Sequence, residues 1–465
     1  MPDLLHVGQE RSEAPTRNAE GRAWPFPAFR PDADAVFAFL IFAVLLFSLQ
    51  LGTLGAALLV VLVPTYAVVR RERLLELLTT RALLLAIPAL AVCSVLWSEA
   101  RAESAKFAFE FCLTVMIGLL FSGARNPYGV FRSLAAAFFI YVAVALAFGH
   151  QTAVGNNGDQ AFSGLSDGKN LLGDIAATGV LLSLGVAADG LRRSQPAPIV
   201  LGFGAALIEF YAVMAAHSAG AVLGLAFGLM ALFGLLAVYR SGVTLRAILI
   251  GFLLLCLTVG AACYQWLSTQ LIELGASLFD KDTTLTGRTY LWYRADQMIA
   301  EKPALGRGFY AFWLQGNTDA EGLWRYAGIT GRGGFTFHNT VVEILMQLGW
   351  VGLVTIVLTV AAGLALLLAR FVRRPSMGLC IWMSLLLYEL VRTPIEAIGL
   401  APFYFSTVMI FAGLGVAFAP AQRPLLWRPE PPSPRRPRGP SQRLLAPVQT
   451  APHRLLASTT PPNKG

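Results

Sequence analysis

Charge is what this sequence has least of. Asp, Glu, Lys and Arg make up only 14% of its 465 residues, against ~25% in an average soluble domain. With 56% hydrophobic residues and a mean hydropathy of +0.61, a string of soluble domains is excluded. Cysteine is also scarce. Cys93, Cys112, Cys256, Cys263 and Cys380 all fall in apolar runs, with no CxxC pair. That pattern excludes a disulfide framework or a Cys/His metal centre and suits small apolar side chains. A basic start running straight into an apolar core is missing too. Met1 to Asp34 is polar and carries Pro15, Pro25, Pro27 and Pro31, so a cleavable signal peptide is not expected. Residues 1–34 read as a disordered cytoplasmic lead-in. The apolar runs are continuous and do not alternate every second residue, which argues against a β-barrel.

What is present is a series of apolar runs near the ~20-residue bilayer length. Hydropathy predicts an all-α polytopic membrane protein of about twelve transmembrane helices. Their approximate limits are 35–49, 51–69, 82–98, 105–122, 130–149, 171–189, 198–216, 219–238, 246–267, 340–369, 377–393 and 398–418. The transmembrane domain is therefore expected over 35–418. One long polar insertion, 268–339, interrupts it between the ninth and tenth helices. Thirteen Arg residues gather in alternate connections, from Arg70 to Arg374, against Arg101, Lys106, Lys169 and Arg392 in the short loops between. Positive charge stays in the cytoplasm, so both termini are expected there and the insertion is expected to be periplasmic. The formal charge of +9 therefore reflects orientation and does not imply nucleic acid. Residues 419–465 are rich in Pro and Arg and predict a disordered cytoplasmic tail with affinity for anionic lipid.

The insertion concentrates cations: Arg288, Arg294, Arg307, Arg325, Arg332 and His338. Leu291, Trp292, Ala295, Met298 and Ile299 recur at helical spacing, and Pro303 follows. This predicts an amphipathic helix over 287–301 lying on the membrane surface. Thr286 is its candidate N-cap, which puts Arg288 in the first turn, where an anion meets guanidinium and free backbone N–H groups together. A snorkelling surface arginine is the plainer reading. Gly-Arg-Gly at 306–308 and at 331–333 offers Arg307 and Arg332 on turns close to a ligand, although ordinary turns account for such glycines equally well. Thr340 and Glu343 have capping-box spacing, so a helix should begin there. His338 then stands at a helix start, suited to taking a proton from a hydroxyl, or simply hydrogen-bonded to backbone. Lys169 begins the sixth helix and is a second candidate phosphate ligand. Among acidic residues in or near apolar runs, Asp174, Glu209, Glu343 and Glu389 stand out. Glu389, Arg392 and Glu396 are expected to form a structural ion cluster.

These residues also carry a resemblance. Asp282 to Thr289 followed by Trp292, Pro303 to Phe309 (P-x-x-G-x-G), and His338-Asn339 with Gly349 and Gly352 (H-N…G-x-x-G) resemble the O-antigen ligase and Wzy-type polymerase superfamily, above all its ExoQ-like exopolysaccharide polymerases. Ser166 to Gly173 resembles a further block of that family. The likeness spans roughly 163–352. It implies a GT-C-like, metal-independent glycosyltransferase without cofactor, in the bacterial inner membrane. The implied donor is a glycan on undecaprenyl pyrophosphate, and the implied partners are a glycan acceptor, membrane lipids, a chain-length regulator and a flippase. By this resemblance Arg288 binds pyrophosphate, His338 activates the acceptor hydroxyl beside Asn339, and Lys169 assists at the phosphates. The family often places a cation after serine at the entry to the eighth helix. Here that stretch reads His217-Ser218-Ala219-Gly220, so His217 is the candidate substitute. A ligase moving glycan to lipid A core, a polysaccharide transporter or flippase, and a non-catalytic homologue remain as alternatives. A transporter should show internal repeats and mid-membrane broken helices, and neither is evident in the sequence.

Overall fold

Caps and helix breakers set the order of elements. The structure, a computed structural model, describes residues 32–154, 159–251, 288–329, 331 and 335–419. All belong to the first of two units, Met1–Trp427; the expected tail beyond Ala419 lies outside the described residues, as does most of the lead-in. Helix α1 (Ala33–Leu46) starts at Asp32, whose carboxylate accepts the Ala35 N–H. It begins earlier than expected, and Asp34 is its buried anchor. That carboxylate accepts from the Tyr66 hydroxyl at 2.7 Å and pairs with Arg70, tying α1 to α3. The one-turn α2 (Ser48–Leu51) ends at Gly52, whose φ of 54° makes the sharp turn into α3 (Thr53–Val69). α3 meets α4 (Arg71–Thr80) at a bend of 97°. α5 (Ala82–Cys93) runs into a 3₁₀ turn, Ser94–Leu96. α6 (Arg101–Ser122) and α7 (Pro127–Phe148) follow.

Between α7 and α8 lies an element that hydropathy does not reveal. Strands β1 (His150–Val154) and β2 (Asp159–Gly164) form an antiparallel hairpin with Thr152 opposite Ala161. The described residues are thus mostly but not wholly α-helical. The pair is short and polar at several positions, so a window tuned to apolar runs passes over it.

α8 (Lys169–Arg193), α9 (Pro196–Ala215) and α10 (Ala219–Val238) pack closely, α8 along α9 above all. A Cβ on Gly202 of α9 would come within 2.7 Å of the Ser183 carbonyl oxygen of α8. Small residues allow this backbone approach, a recurrent device where helices associate in lipid. Glu209 is buried there against Gly179. Most of the expected ninth span lies outside the described residues. α11 (Arg288–Glu301) and α12 (Thr318–Tyr326) belong to the insertion, followed by α13 (Thr340–Arg373), α14 (Met377–Arg392) and α15 (Phe405–Ala417). Among the described residues, six helices are long and apolar enough to cross a membrane: α6, α7, α8, α9, α10 and α13. The bent α3–α4 pair would make seven. Shorter apolar helices at Ala33–Leu46, Ala82–Leu96 and Phe405–Ala417 accompany them.

Two local corrections shape the site. The last expected span, 398–418, is helical only over α15. Gly399 (φ 85°), Pro402 and Phe403 (φ 50°) keep 398–404 irregular, because proline disfavours a helical residue before it and left-handed residues cannot propagate a helix. Likewise α14 stops at Arg392, just ahead of Pro394. The resulting non-helical segment, 393–404, supplies Glu396. The insertion also differs from a helix resting on lipid. Leu291, Ala295 and Met298 of α11 pack with Phe312, Leu323, Trp324, Phe337 and Met346 in a core separate from the main one. The apolar stripe of α11 therefore meets protein.

Two glycine segments, one in the insertion and one in α13, find their purpose in one crossing; the Gly-Arg-Gly expected at 331–333 lies, apart from Gly331, outside the described residues. Within α13, Gly349 takes φ 63° and ψ −163°, a break that frees carbonyls from the helix ladder. Pro303 to Gly308 runs across it. Arg307 N–H donates to the Met346 carbonyl at 2.9 Å and Gly308 N–H to that of Gln347 at 3.0 Å, while Trp350 N–H donates to Pro303 at 2.8 Å. A Cβ on Gly306 would lie 2.6 Å from the Gln347 carbonyl carbon, and one on Gly349 would lie 2.4 Å from that of Ala304. The glycines serve backbone proximity, not ligand presentation.

Candidate active site

At the end of the bundle where α8, α10, α11 and α13 begin, four chain segments converge on one carboxylate. Glu396, on the segment after α14, accepts from three side chains. Asn170 Nδ2 on α8 donates to Oε1 at 3.1 Å, Arg288 Nη2 on α11 lies 3.4 Å from Oε1, and His338 Nδ1 lies 3.3 Å from Oε2. The side chains of Arg288, His338 and Glu396 are 17%, 27% and 18% exposed, so the group is sheltered yet reachable. The expected ion cluster joins Glu389, Arg392 and Glu396. The structure instead gives Arg392 to Asp174 and Glu389 (3.2 Å), deep below, and turns Glu396 up to the histidine and arginine. Pro394 was the available signal, since it forces the chain out of α14 before Glu396.

Each member is positioned locally. His338 sits at φ 51°, held by its N–H on Thr336 Oγ1 and by the Phe335 ring edge-on at 5.6 Å. Left-handed backbone is sparsely populated for such residues, and strain of this kind collects at functional sites. Asn339, not Thr340, caps α13: its Oδ1 accepts from Val341 and Val342 N–H. Thr340 Oγ1 donates to the Glu396 carbonyl at 2.7 Å and accepts from Ile398 N–H at 2.9 Å, and Asn339 Nδ2 donates to the Pro394 carbonyl. Glu343 accepts from Phe337 N–H at 3.1 Å. Thus the expected helix start is correct, but Thr340 and Glu343 fasten neighbouring segments where a capping box was expected. Arg288 Nη1 donates to the Ile395 carbonyl, and Trp292 Nε1, one turn along α11, donates to the Phe337 carbonyl at 2.8 Å.

Around this group stand the other expected residues. Lys169 opens α8 and its Nζ donates to the His217 carbonyl at 3.2 Å; His217 is exposed at φ 47°. Ser218 caps α10 and its Oγ donates to Asn170 Oδ1 at 3.1 Å. Lys169, Asn170, His217 and Ser218 therefore join Arg288, His338 and Asn339 through a chain of contacts. Arg307 does not. Its guanidinium is held by Glu99 at 3.0 Å and Glu301 at 2.5 Å, with Lys302 also on Glu99. It fastens the insertion to the turn before α6, and its charge is spent on carboxylates. Arg332 and Thr286 lie outside the described residues.

Beneath the group, α8 presents Asp174 one turn below Asn170. Asp174 Oδ1 accepts from the Tyr388 hydroxyl at 2.8 Å and Oδ2 from that of Tyr404 at 3.2 Å, with Arg392 between it and Glu389. Every charge there is paired, as buried ions require.

Burial raises the affinity of Glu396 for a proton, but the His338 hydrogen bond and the Arg288 charge outweigh it and hold the carboxyl below its ordinary value. It is therefore ionised across the neutral range. An ionised carboxylate at Nδ1 favours the imidazole tautomer with its proton on Nδ1, leaving Nε2 basic. The arrangement is a base with an orienting acid, beside a fixed cation. Because the folded carboxyl pKa is depressed, the pairing stabilises the protein above the unfolded value of about 4.3 and fades only as pH falls through the lower folded value. Glu396→Gln should thus melt below the wild type by a constant margin from about pH 5 upward, the margin closing in stronger acid. Its activity should fall by roughly 10²-fold or more through the misplaced tautomer. Melting of the detergent-solubilised pair from about pH 2 to 7 checks the first; turnover checks the second.

The family model described as O-antigen ligase matches residues 204–357. Exopolysaccharide production protein ExoQ of Rhizobium meliloti (strain 1021) is 27% identical over 349 residues, covering 72% of this chain and 78% of that protein. Over residues 204–357 the chain is similar to the O-antigen ligase and Wzy-type family, and over most of its length to ExoQ. A chain from a solved peptidoglycan synthase complex also aligns, at a TM-score of 0.37 and 19% identity, over 73% of this chain and 96% of that one; nothing is drawn from so low a score. The O-antigen ligase match and the likeness to ExoQ support a polysaccharide polymerase- or ligase-type function, and the apolar helices a multi-pass membrane protein. For an ExoQ-like chain, the convergence on Glu396 lies where the family-like segments Ser166 to Gly173 and His338-Asn339 meet.

Proposed function

We propose that this protein polymerises a surface polysaccharide, joining repeat units carried on undecaprenyl pyrophosphate at the periplasmic face of the inner membrane. The single observation behind this reading is the sharing of Glu396 by His338 and Arg288, an oriented base beside a cation. An acceptor hydroxyl gives its proton to His338 Nε2 as its oxygen bonds to the anomeric carbon of the donor. The bond from that carbon to the diphosphate oxygen breaks, and undecaprenyl pyrophosphate leaves with the electron pair. Charge grows on the diphosphate in this step, and Arg288 and Lys169 stabilise it without need of a metal. Asn339 and His217 border the same entrance. Twelve spans in a GT-C-like arrangement, cytoplasmic termini and a periplasmic insertion belong to this reading, as the distribution of Arg residues supports.

A lipid-linked donor also needs an apolar berth. A groove with a cavity volume of about 320 Å³ lies among α5, α13, α14 and α15, lined from Thr340 and Thr393 to Ile344, Ile356 and Leu364. Its upper end adjoins the segment that carries Glu396.

Deletion of the gene, followed by sizing of surface glycan and of lipid-linked intermediates, tests the function. Single repeats on lipid accumulate if the protein is a polymerase. Full-length polymer retained on the lipid carrier instead identifies a ligase, and donor that never becomes accessible from outside identifies a flippase.

A further inference from the structure

The insertion carries one exposed aromatic surface that the catalytic group does not use. Tyr290, Tyr293 and Tyr326 are 41%, 62% and 52% exposed. Among the described residues of the insertion, Leu305 is the one other large apolar side chain so open to solvent. These tyrosines do not fill the core, since α11 turns Leu291, Ala295 and Met298 inward for that purpose. Tyr290 and Tyr326 come from different helices, yet their rings lie 4.2 Å apart between centroids with an angle of 39° between planes, so α11 and α12 present them as one surface. Tyr293 stands one turn along α11.

We infer that Tyr290, Tyr293 and Tyr326 form a stacking platform for the sugar rings of the polysaccharide chain entering or leaving the Arg288–His338 group. Three features select a glycan. Flat rings with a hydroxyl at the rim match the apolar faces and polar edges of pyranose rings, and tyrosine offers this contact area at small entropic cost. The border is polar and carries both signs. Arg294 donates to Gln297 Oε1 at 2.5 Å and lies 3.9 Å from Asp319, and Glu321 and Arg325 sit on α12 beside Tyr326. Sugar hydroxyls meet both donors and acceptors at such a border. Third, the platform is borne by the helix that carries Arg288, on the face turned away from Glu396. Tyr290 and Tyr293 follow Arg288 on the same helix by roughly 3 and 8 Å of axial rise. A chain of several sugars bonded at the centre is long enough to pass the start of the helix and reach this face.

This inference rests on the glycan-transfer reading, and its test separates the two. Purified full-length protein is titrated with fragments of the producing cell's own exopolysaccharide several repeats long. Wild type, Tyr290→Ala/Tyr326→Ala and Tyr290→Phe/Tyr326→Phe are compared, and surface glycan from cells carrying each is sized. The alanine pair should bind fragments about tenfold more weakly and make shorter polymer, while forming the first linkage between single repeats at the wild-type rate. The phenylalanine pair, which keeps the rings, should bind nearly as the wild type does. Equal binding and full-length polymer from the alanine pair overturn the platform and leave the catalytic reading standing. Fragment binding that depends on the rings, in a wild type that forms no linkage, leaves the platform and removes the catalytic reading. Unchanged binding with lowered stability in lipid nanodiscs alone identifies the tyrosines as membrane anchors and also overturns it.

Discussion

His338→Asn should stop polymer formation while leaving the protein folded in the membrane. Asparagine is chosen because it tolerates the left-handed backbone that His338 adopts (φ 51°), so lost activity is not confused with backbone strain. Removing a positioned general base typically costs about 10²- to 10⁴-fold in rate. Arg288→Ala should cost roughly 10²- to 10³-fold by removing fixed positive charge from the diphosphate. Arg288→Lys should recover little, since the guanidinium holds the Ile395 carbonyl and Glu396 together as a fork and an ammonium is a point charge. The two losses should not multiply in the double variant, because both residues share Glu396. Turnover of purified lipid-linked repeats measures all four variants. Wild-type rates from His338→Asn and Arg288→Ala would remove the catalytic assignment.

Gly349→Ala should destabilise the protein more than a substitution at any other glycine of α13. Its φ of 63° with ψ of −163° is a region that only glycine occupies at low cost, and an added Cβ would meet the Ala304 carbonyl at 2.4 Å. Strain of that kind costs about 1–3 kcal/mol and overpacking a further ~1–3 kcal/mol. The crossing strand at Pro303 to Gly308 must then leave the carbonyls of Met346 and Gln347, and α11 shifts with it. Lower membrane yield, a melting point several degrees down and lost activity should appear together. Gly204→Ala is the control. Nothing lies within 4 Å of its Cβ, and alanine in a helix interior is favoured over glycine by roughly 1 kcal/mol, so it should be neutral or slightly stabilising.

Several readings succeeded because they depend on local chemistry. Arg288 does open the described part of an amphipathic helix, Lys169 does begin α8, and His338 does stand just before α13. Others failed because a partner far along the chain decides them. Arg307 looked like a ligand cation on a glycine turn, but Glu99, 208 positions earlier, claims it. Thr340 and Glu343 have the spacing of a capping box, yet the folded chain offers Thr340 the backbone of 396–398 and Glu343 the Phe337 N–H, and Asn339 takes the cap. Glu396 was visible and read as structural, because its distance in sequence from His338 gave no hint that they touch. The hairpin at 150–164 escaped a reading based on long apolar runs.

By itself the sequence determined the apolar helices, the polar insertion and the residue types available for phosphate and proton chemistry. Those follow from hydropathy, periodicity and helix-end chemistry, all settled within a few turns of chain. Only the tertiary structure decided which of the cations share a carboxylate, that Glu396 is that carboxylate, and that the glycine segments exist to let two backbones cross. Such facts depend on contacts between residues from 39 to 226 positions apart, where packing and the burial of charge choose the partner.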